Sequence, residues 1–221
     1  MARGFFITGT DTGVGKTLVT AAMLHQCKRD GRTAVGMKPV AAGCVRTAAG
    51  WVNEDVEILR AASSIALPVP AMNVYLFNAP IAPHIAAAEE GVAIDVDEIL
   101  HRFRRLGELA DVVMVEGAGG WLVPLDDQMM MADLADELGL PVVLVVGMRL
   151  GCINHALLTA RSIEDSGSRL AGWVANRIDA GMARFEENLA TLTARIEAPL
   201  LGVVPHQSAP DPTRIALKLP L

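Results

Sequence analysis

Apolar residues along this chain follow two alternating rhythms, short unbroken runs and longer stretches in which they return every three or four positions. Phe5-Phe6-Ile7, Arg32 to Met37, Asn73 to Phe77, Asp111 to Glu116, Pro141 to Gly147, Leu170 to Asn176 and Leu200 to Val204 read as strands. The unbroken Val-Val-Met-Val and Val-Val-Leu-Val-Val runs suit strands buried on both faces. Between the runs, helical spacing predicts helices from about Lys16 to Asp30, Asn53 to Ile65, Ile85 onward, Asp95 to Leu109, Met129 to Leu138, Gly151 to Ser166 and Arg184 to Ile196. The proline-rich tail from Pro205 reads as loop. Strand and helix alternate, with connections long enough for right-handed crossovers. The expected fold is α/β in three layers around a mainly parallel sheet of about seven strands. Neither an internal repeat nor a linker divides the chain, so residues 1–221 are expected to form one domain.

The glycine-rich stretch Gly9-Thr10-Asp11-Thr12-Gly13-Val14-Gly15-Lys16-Thr17 joins the first strand to the first helix. Such a turn gathers backbone N–H groups at a helix N-terminus, where the macrodipole adds about half a positive charge and favours phosphate. Lys16 would reach the outer phosphates and Thr17 would hold Mg²⁺. Five residues separate Gly9 from Gly15, one more than in the usual phosphate loop, so the match is to a variant of it. The expected architecture is therefore P-loop NTPase-like.

Other candidates fall at strand ends, where parallel sheets bind ligands. Lys38 follows the second strand, and Glu116 ends the fourth, ahead of Gly117-Ala118-Gly119-Gly120. A carboxylate there is how many phosphate-loop proteins reach Mg²⁺. Asp55 lies at a helix start, where Asp is favoured in any case. Gly151 to Asn154 open a helix after a buried strand and form a second N–H cluster suited to an anion. His25 reads as packed or half exposed, His84 is ambiguous, and Met129-Met130-Met131 read as packing material.

Composition narrows the function classes. With 221 residues, 52% of them hydrophobic, the chain can bury about 70% of its unfolded surface. A net charge of −6 without a basic cluster argues against nucleic acid, and His101 to Arg105 reads as a solvated helix face. Three cysteines, Cys27, Cys44 and Cys152, cannot all pair, and no signal peptide is evident, so a reducing, cytoplasmic setting is expected. No apolar run reaches the ~18 residues of a membrane span.

Taken together, Gly9 to Thr17, Lys38-Pro39-Val40, Pro83-His84, Glu116-Gly-Ala-Gly-Gly-Trp121, Gly151-Cys-Ile-Asn-His155, Gly172-Trp-Val-Ala-Asn176 and Leu-Gly-Val-Val-Pro205 resemble the dethiobiotin synthetase family. They run in order through nearly the whole chain, and Gly-Cys-Ile-Asn-His discriminates far better than the phosphate loop. The resemblance implies ATP- and Mg²⁺-dependent closure of a cyclic urea from 7,8-diaminononanoate and CO₂ in a homodimer. It implies catalytic roles for Lys16, Lys38 and Thr12, with Thr12 at the substrate's reacting end, and Mg²⁺ on Thr17, Asp55 and Glu116. ATP would lie along Gly13, Val14, Gly15, Lys16, Thr17 and Leu18 and near Asp55 and Glu116 to Gly119. Asn176, Arg177, Pro205, His206 and Gln207 would surround adenine. The substrate would meet Thr12, Lys38 and Ala42, with its carboxylate at Gly151, Cys152, Ile153 and Asn154 across the dimer interface.

Two positions depart from the family pattern: Gly13 stands where an acid is common, and Ala42 where a hydroxyl residue is common. Side-chain contacts to an amine or carbamate are missing at both. The same fold also serves partitioning-type switch ATPases, which usually carry an additional lysine early in the loop. None lies between Gly9 and Gly15. A cobyrinate-type amide-forming synthase normally brings a glutaminase domain, for which this length leaves no room. A catalytically inactive relative would not be expected to keep Lys16, Thr17, Lys38, Asp55 and Glu116.

Overall fold

The computed structural model describes residues 3–48 and 50–220. In chain order its elements are β1 (Arg3–Gly9), α1 (Lys16–Arg29), β2 (Ala34–Met37), β3 (Val40–Ala42), β4 (Val45–Thr47), β5 (Gly50–Val52), α2 (Glu54–Ala62), α3 (Val69–Met72), β6 (Tyr75–Phe77) and α4 (Pro83–Glu90). They continue as α5 (Val96–Leu109), β7 (Val112–Glu116), α6 (Met131–Glu137), β8 (Val142–Gly147), α7 (Cys152–Asp165), β9 (Leu170–Asn176), α8 (Phe185–Arg195), β10 (Leu200–Val204) and a short 3₁₀ turn, Pro212–Arg214.

Six strands form the central sheet in the order β10-β9-β8-β1-β7-β2, and every pairing in it is parallel. Successive strand residues point to opposite faces, and the unbroken apolar runs feed both. Phe6, Val113, Val115, Leu144 and Trp173 pack with α5, α6, α7 and α8. Their neighbours Phe5, Ile7, Val112, Met114 and Val143 pack with α1, α2 and the C-terminal tail. The result is the expected three layers.

The sheet has six strands because the segment expected as a seventh pairs elsewhere. Tyr75–Phe77 runs parallel to Val40–Ala42 in a separate two-stranded sheet. Pro39 follows Lys38 directly, and its carbonyl accepts the Val74 and Tyr75 N–H groups, so the chain leaves the main sheet at that point. A short hairpin, β4 with β5, and the single turn α3 were not expected from the sequence. Helix α2 ends at Ala62 rather than near Ile65. There Ser63 turns extended, its hydroxyl donating to Leu59 O and accepting the Gly36 N–H. The basic group 101–105 is a solvated helix face as read, with Arg102 paired to Glu98 and Arg105 to Glu108.

The sheet order brings the C-terminal ends of β1, β7, β2 and β8 to one edge. That edge carries the glycine-rich loop, Glu116, Lys38 and the start of the β8–α7 connection.

Candidate active site

The loop Gly9 to Thr17 hangs between β1 and α1 and is fixed from both sides. Thr10 N–H donates to Val145 O at 3.0 Å, and Asn176 Nδ2 donates to Val14 O at 2.8 Å. Gly15 caps α1 at φ 87° with no side-chain hydrogen bond to the helix start. A side chain at Gly15 would be strained by that φ and would overlap the Asn176 amide nitrogen. The N–H groups at the start of α1 are thus left for a ligand, which is how phosphate-binding loops work.

Four side chains from distant parts of the chain meet beside the loop. Thr17 Oγ1 lies 2.7 Å from Asp55 Oδ1 and 2.9 Å from Glu116 Oε1. Lys38 Nζ lies 2.6 Å from Asp55 Oδ2 and 2.6 Å from Glu116 Oε1. Glu116 is 0% exposed and Lys38 5%. The Thr17 hydroxyl has one proton and can serve only one carboxylate at a time. Glu116 Oε2 is buried with no hydrogen-bond partner among the described residues, a costly arrangement for a polar oxygen.

Electrostatics follow from this packing. Burial, assisted by the Lys38 charge, lowers the Lys16 ammonium to about 8. For Lys38, burial works in the same direction, but the charges and hydrogen bonds of Glu116 and Asp55 outweigh it and raise its pKa. Burial would raise Asp55, yet the Lys38 charge, its hydrogen bond and that of Thr17 hold the carboxyl below its ordinary value.

Supporting residues that sequence reading did not single out position these groups. Asn53 accepts the Val56 N–H at the start of α2 and donates to Ala42 O and Gly43 O, which sets where Asp55 projects. Asn73 Nδ2 donates to Lys38 O at 2.7 Å. Asn at a helix start was a visible signal for the first; nothing in the sequence marked the second.

Two carboxylates, a hydroxyl and an orphaned carboxylate oxygen fit a hard cation such as Mg²⁺, which takes few protein ligands and completes its shell with water and phosphate. Among the described residues no group of three or more His, Cys, Asp or Glu could hold a metal.

A cavity of about 910 Å³ opens at this cluster and is lined by Thr12, Gly13, Gly15, Lys16, Thr17, Leu18, Lys38, Ala42, Asp55, Glu116, Ala118 and Gly119. His25 is also on its wall. The Asn176 amide is committed to the loop, Arg177 stacks over Phe185 at 5.0 Å, and Gln207 accepts the Asp211 N–H. These residues, with exposed Pro205 and His206, sit at or just past the ends of β9 and β10 and outside this cavity's lining. At the start of α7, Gly151 caps at φ 93° without a side-chain bond, while the Cys152 N–H is taken by Arg149 O and its thiol is buried. Cys152 therefore leaves Ile153 and Asn154 as the more open positions there. A second cavity at the opposite sheet edge has Arg3, Arg32 and Arg104 facing Glu108, Asp111 and Glu137, and holds none of the residues singled out above.

A parallel sheet of this order, with a glycine-rich loop, lysine and hydroxyl at one edge, defines a P-loop nucleotide-binding protein. Solved structures carry the same fold. The septum site-determining protein MinD from Pyrococcus horikoshii, complexed with Mg-ADP, superposes at TM-score 0.56 over 94% of this chain and 82% of its own, at 15% identity. A ParA family ATPase from Chlorobium tepidum gives TM-score 0.57 over 94% and 86%, at 12% identity. Within the class, the model of the AAA domain family matches residues 3–214. The ATP-dependent dethiobiotin synthetase BioD of Aromatoleum aromaticum is 58% identical over 219 residues, 99% of this chain and 97% of that protein. The enzyme of the same name from Nitrosospira multiformis is 54% identical over 96% of this chain and 92% of its own. The chain belongs to the ATP-dependent dethiobiotin synthetase family, a family of ligases.

Proposed function

We propose that this chain, as one domain over residues 1–221, makes dethiobiotin from 7,8-diaminononanoate, CO₂ and ATP with the help of Mg²⁺. The observation that carries the reading is the meeting of Lys16, Lys38, Thr17, Asp55 and Glu116 at one end of the cavity. Two cations, one at the start of α1 and one just past β2, and two acids suit the transfer of a phosphoryl group to an anionic acceptor.

The nitrogen of one neutral substrate amine attacks the carbon of CO₂, a C–O π bond opens and the nitrogen loses a proton, giving a carbamate whose oxygen is too poor a leaving group for ring closure. The carbamate oxygen attacks the γ-phosphorus of ATP, the β–γ bridge breaks, and ADP leaves. The neighbouring amine then attacks the carbonyl carbon, the C–O bond to phosphate breaks, and the nitrogen gives up a proton as the five-membered urea closes. The vicinal amines make this last step intramolecular.

The loop N–H groups from Gly13 to Leu18 hold the triphosphate, and Lys16 neutralises its outer end. Lys38 faces the carbamate and the developing anhydride, where a preorganised charge counts most. Thr17, Asp55 and Glu116 would hold Mg²⁺, which when bound would draw charge off the phosphates. Thr12 meets the reacting end of the substrate. Gly13 and Ala42 line the cavity without polar side chains, so backbone groups serve there. Asn176, Arg177 and Pro205 to Gln207 enclose the adenine. The distant carboxylate is held at Gly151 to Asn154 in a homodimer, a reading supported by Leu150, 95% exposed, next to that helix start. We place the enzyme in the cytoplasm, where its three free cysteines would stay reduced. No helix among the described residues is long and apolar enough to cross a membrane.

ATP hydrolysis measured with and without diaminononanoate plus bicarbonate tests this function. Strong stimulation with dethiobiotin detected by mass spectrometry is expected. ATP turnover indifferent to the diamine would point instead to a switch ATPase.

A further inference from the structure

Asp11 has no part in the roles above, yet all three of its oxygens are engaged. Its Oδ1 accepts the Thr12 N–H at 2.8 Å, and its carbonyl accepts Lys16 Nζ at 3.0 Å. Its remaining oxygen, Oδ2, lies 2.6 Å from Arg149 Nη2. Arg149 belongs to the connection between β8 and α7, and its carbonyl accepts the Cys152 N–H that begins α7. Upstream, the two segments already touch through Thr10 and Val145. The Arg149–Asp11 pair closes the far side of that contact.

As a stabiliser of the fold the pair counts for little. Its side chains are 49% and 41% exposed, and an exposed ion pair gains little over two separately hydrated charges. Direction is a different matter. With Oδ1 on Thr12 N–H and Oδ2 on a planar guanidinium, the Asp11 carboxylate has one orientation, and the backbone at Thr12 inherits it.

We propose that Arg149 is a positioning residue. Through Asp11 it sets the orientation of Thr12 at the reacting end, and it ties that end to the start of α7. This rests on the synthetase reading, in which Thr12 and Gly151 to Asn154 grip opposite ends of one substrate. Loss of Arg149 then costs turnover of the diamine, with little effect on nucleotide binding or on folding.

The test compares Arg149→Met, Arg149→Lys, Asp11→Asn and the Arg149→Met/Asp11→Asn double variant. Dethiobiotin formation is followed with each substrate varied, along with binding of a fluorescent ATP analogue and amide hydrogen exchange over residues 11–13. Arg149→Met should lower kcat/KM for the diamine on the order of tenfold, as a small misplacement of reacting groups does. It should change analogue affinity by less than about threefold, the size of effect an exposed pair allows, and it should speed exchange at Thr12. Arg149→Lys should recover part of the loss, and the double variant should be no worse than the poorer single one. Losses that multiply in the double variant, unaltered exchange at Thr12, or normal kcat/KM in Arg149→Met would each overturn the proposal. A wild-type protein that makes no dethiobiotin would overturn the functional reading instead; the exchange measurement judges the Arg149–Asp11 coupling either way.

Discussion

Lys38 Nζ sits 2.6 Å from Glu116 Oε1, and both side chains are buried, although 78 residues separate them in the chain. The ammonium is shared with Asp55 at the same distance, so one cation contacts both acids.

The first prediction separates what this lysine does for the fold from what it does for turnover. Lys38→Leu leaves a buried carboxylate without its partner, which costs about 3–5 kcal/mol. In Lys38→Leu/Glu116→Leu the stability should largely return, because an apolar pair can replace a buried ion pair at little cost. Dethiobiotin formation should not return, remaining on the order of 10² to 10³ below wild type, as for loss of a preorganised donor. Thermal melts and steady-state rates of both variants decide the matter; near-normal turnover in a folded Lys38→Leu protein would sink the catalytic role.

A second expectation concerns divalent cations. Lys38 competes for the same carboxylate oxygens that are proposed to hold Mg²⁺, so its removal should tighten Mn²⁺ binding to the nucleotide-free protein by about tenfold, one close unit charge being worth this much or more. Glu116→Gln should weaken it and shift the Mg²⁺ requirement upward. Electron paramagnetic resonance titration with Mn²⁺ reads both; equal affinities in all three proteins would remove Glu116 from the metal site.

Acid stability offers a third check, far from the cavity. The Thr33 hydroxyl and N–H donate to Asp111 Oδ2 at 2.7 and 2.9 Å, and they hold that carboxyl below its ordinary 3.8. The folded pKa lies under the unfolded one, so the contribution is complete above 3.8 and fades as pH falls through the folded value. Thr33→Val should therefore melt below wild type at about pH 7, and the gap should narrow at about pH 3. A gap independent of pH would mean that packing, not the carboxylate, is responsible.

The thiols give a fourth. Burial pushes Cys27 up to about 11, and Cys44 is also raised while its Sγ lies 3.0 Å from Phe77 O. Cys27 and Cys152 are buried. At about pH 8, where an ordinary thiol is partly ionised, a disulfide reagent should label at most Cys44 in the native protein and all three cysteines in denaturant. Rapid native labelling of Cys27 would show that α1 opens against the sheet far more readily than its packing implies.

Much of this molecule could be read before any coordinates. Glu116 was legible as a strand-end acid because an unbroken apolar run ending in a charge and glycines has few other interpretations in a parallel sheet. Asp55 was legible only as a helix-start acid, since the same pattern serves capping. The strand at Tyr75–Phe77 was recognised but not its partner, because period-two patterning identifies a strand and says nothing of which edge it joins. The Asp11–Arg149 pair escaped notice altogether; each residue alone looks like an ordinary surface charge.

The sequence by itself determined the alternation of strand and helix, the loop from Gly9 to Thr17 and the sheet edge that carries Lys38 and Glu116. All of these rest on local periodicity and on the special backbone freedom of glycine. Tertiary structure alone decided that Lys38 lies between Asp55 and Glu116, that Thr17 reaches Glu116 across 99 residues and that Arg149 reaches Asp11 across 138. Those contacts depend on the strand order β8-β1-β7-β2. That order is set by how the crossover helices bury their apolar faces on the two sides of the sheet, an outcome of packing over the whole chain that no single stretch encodes.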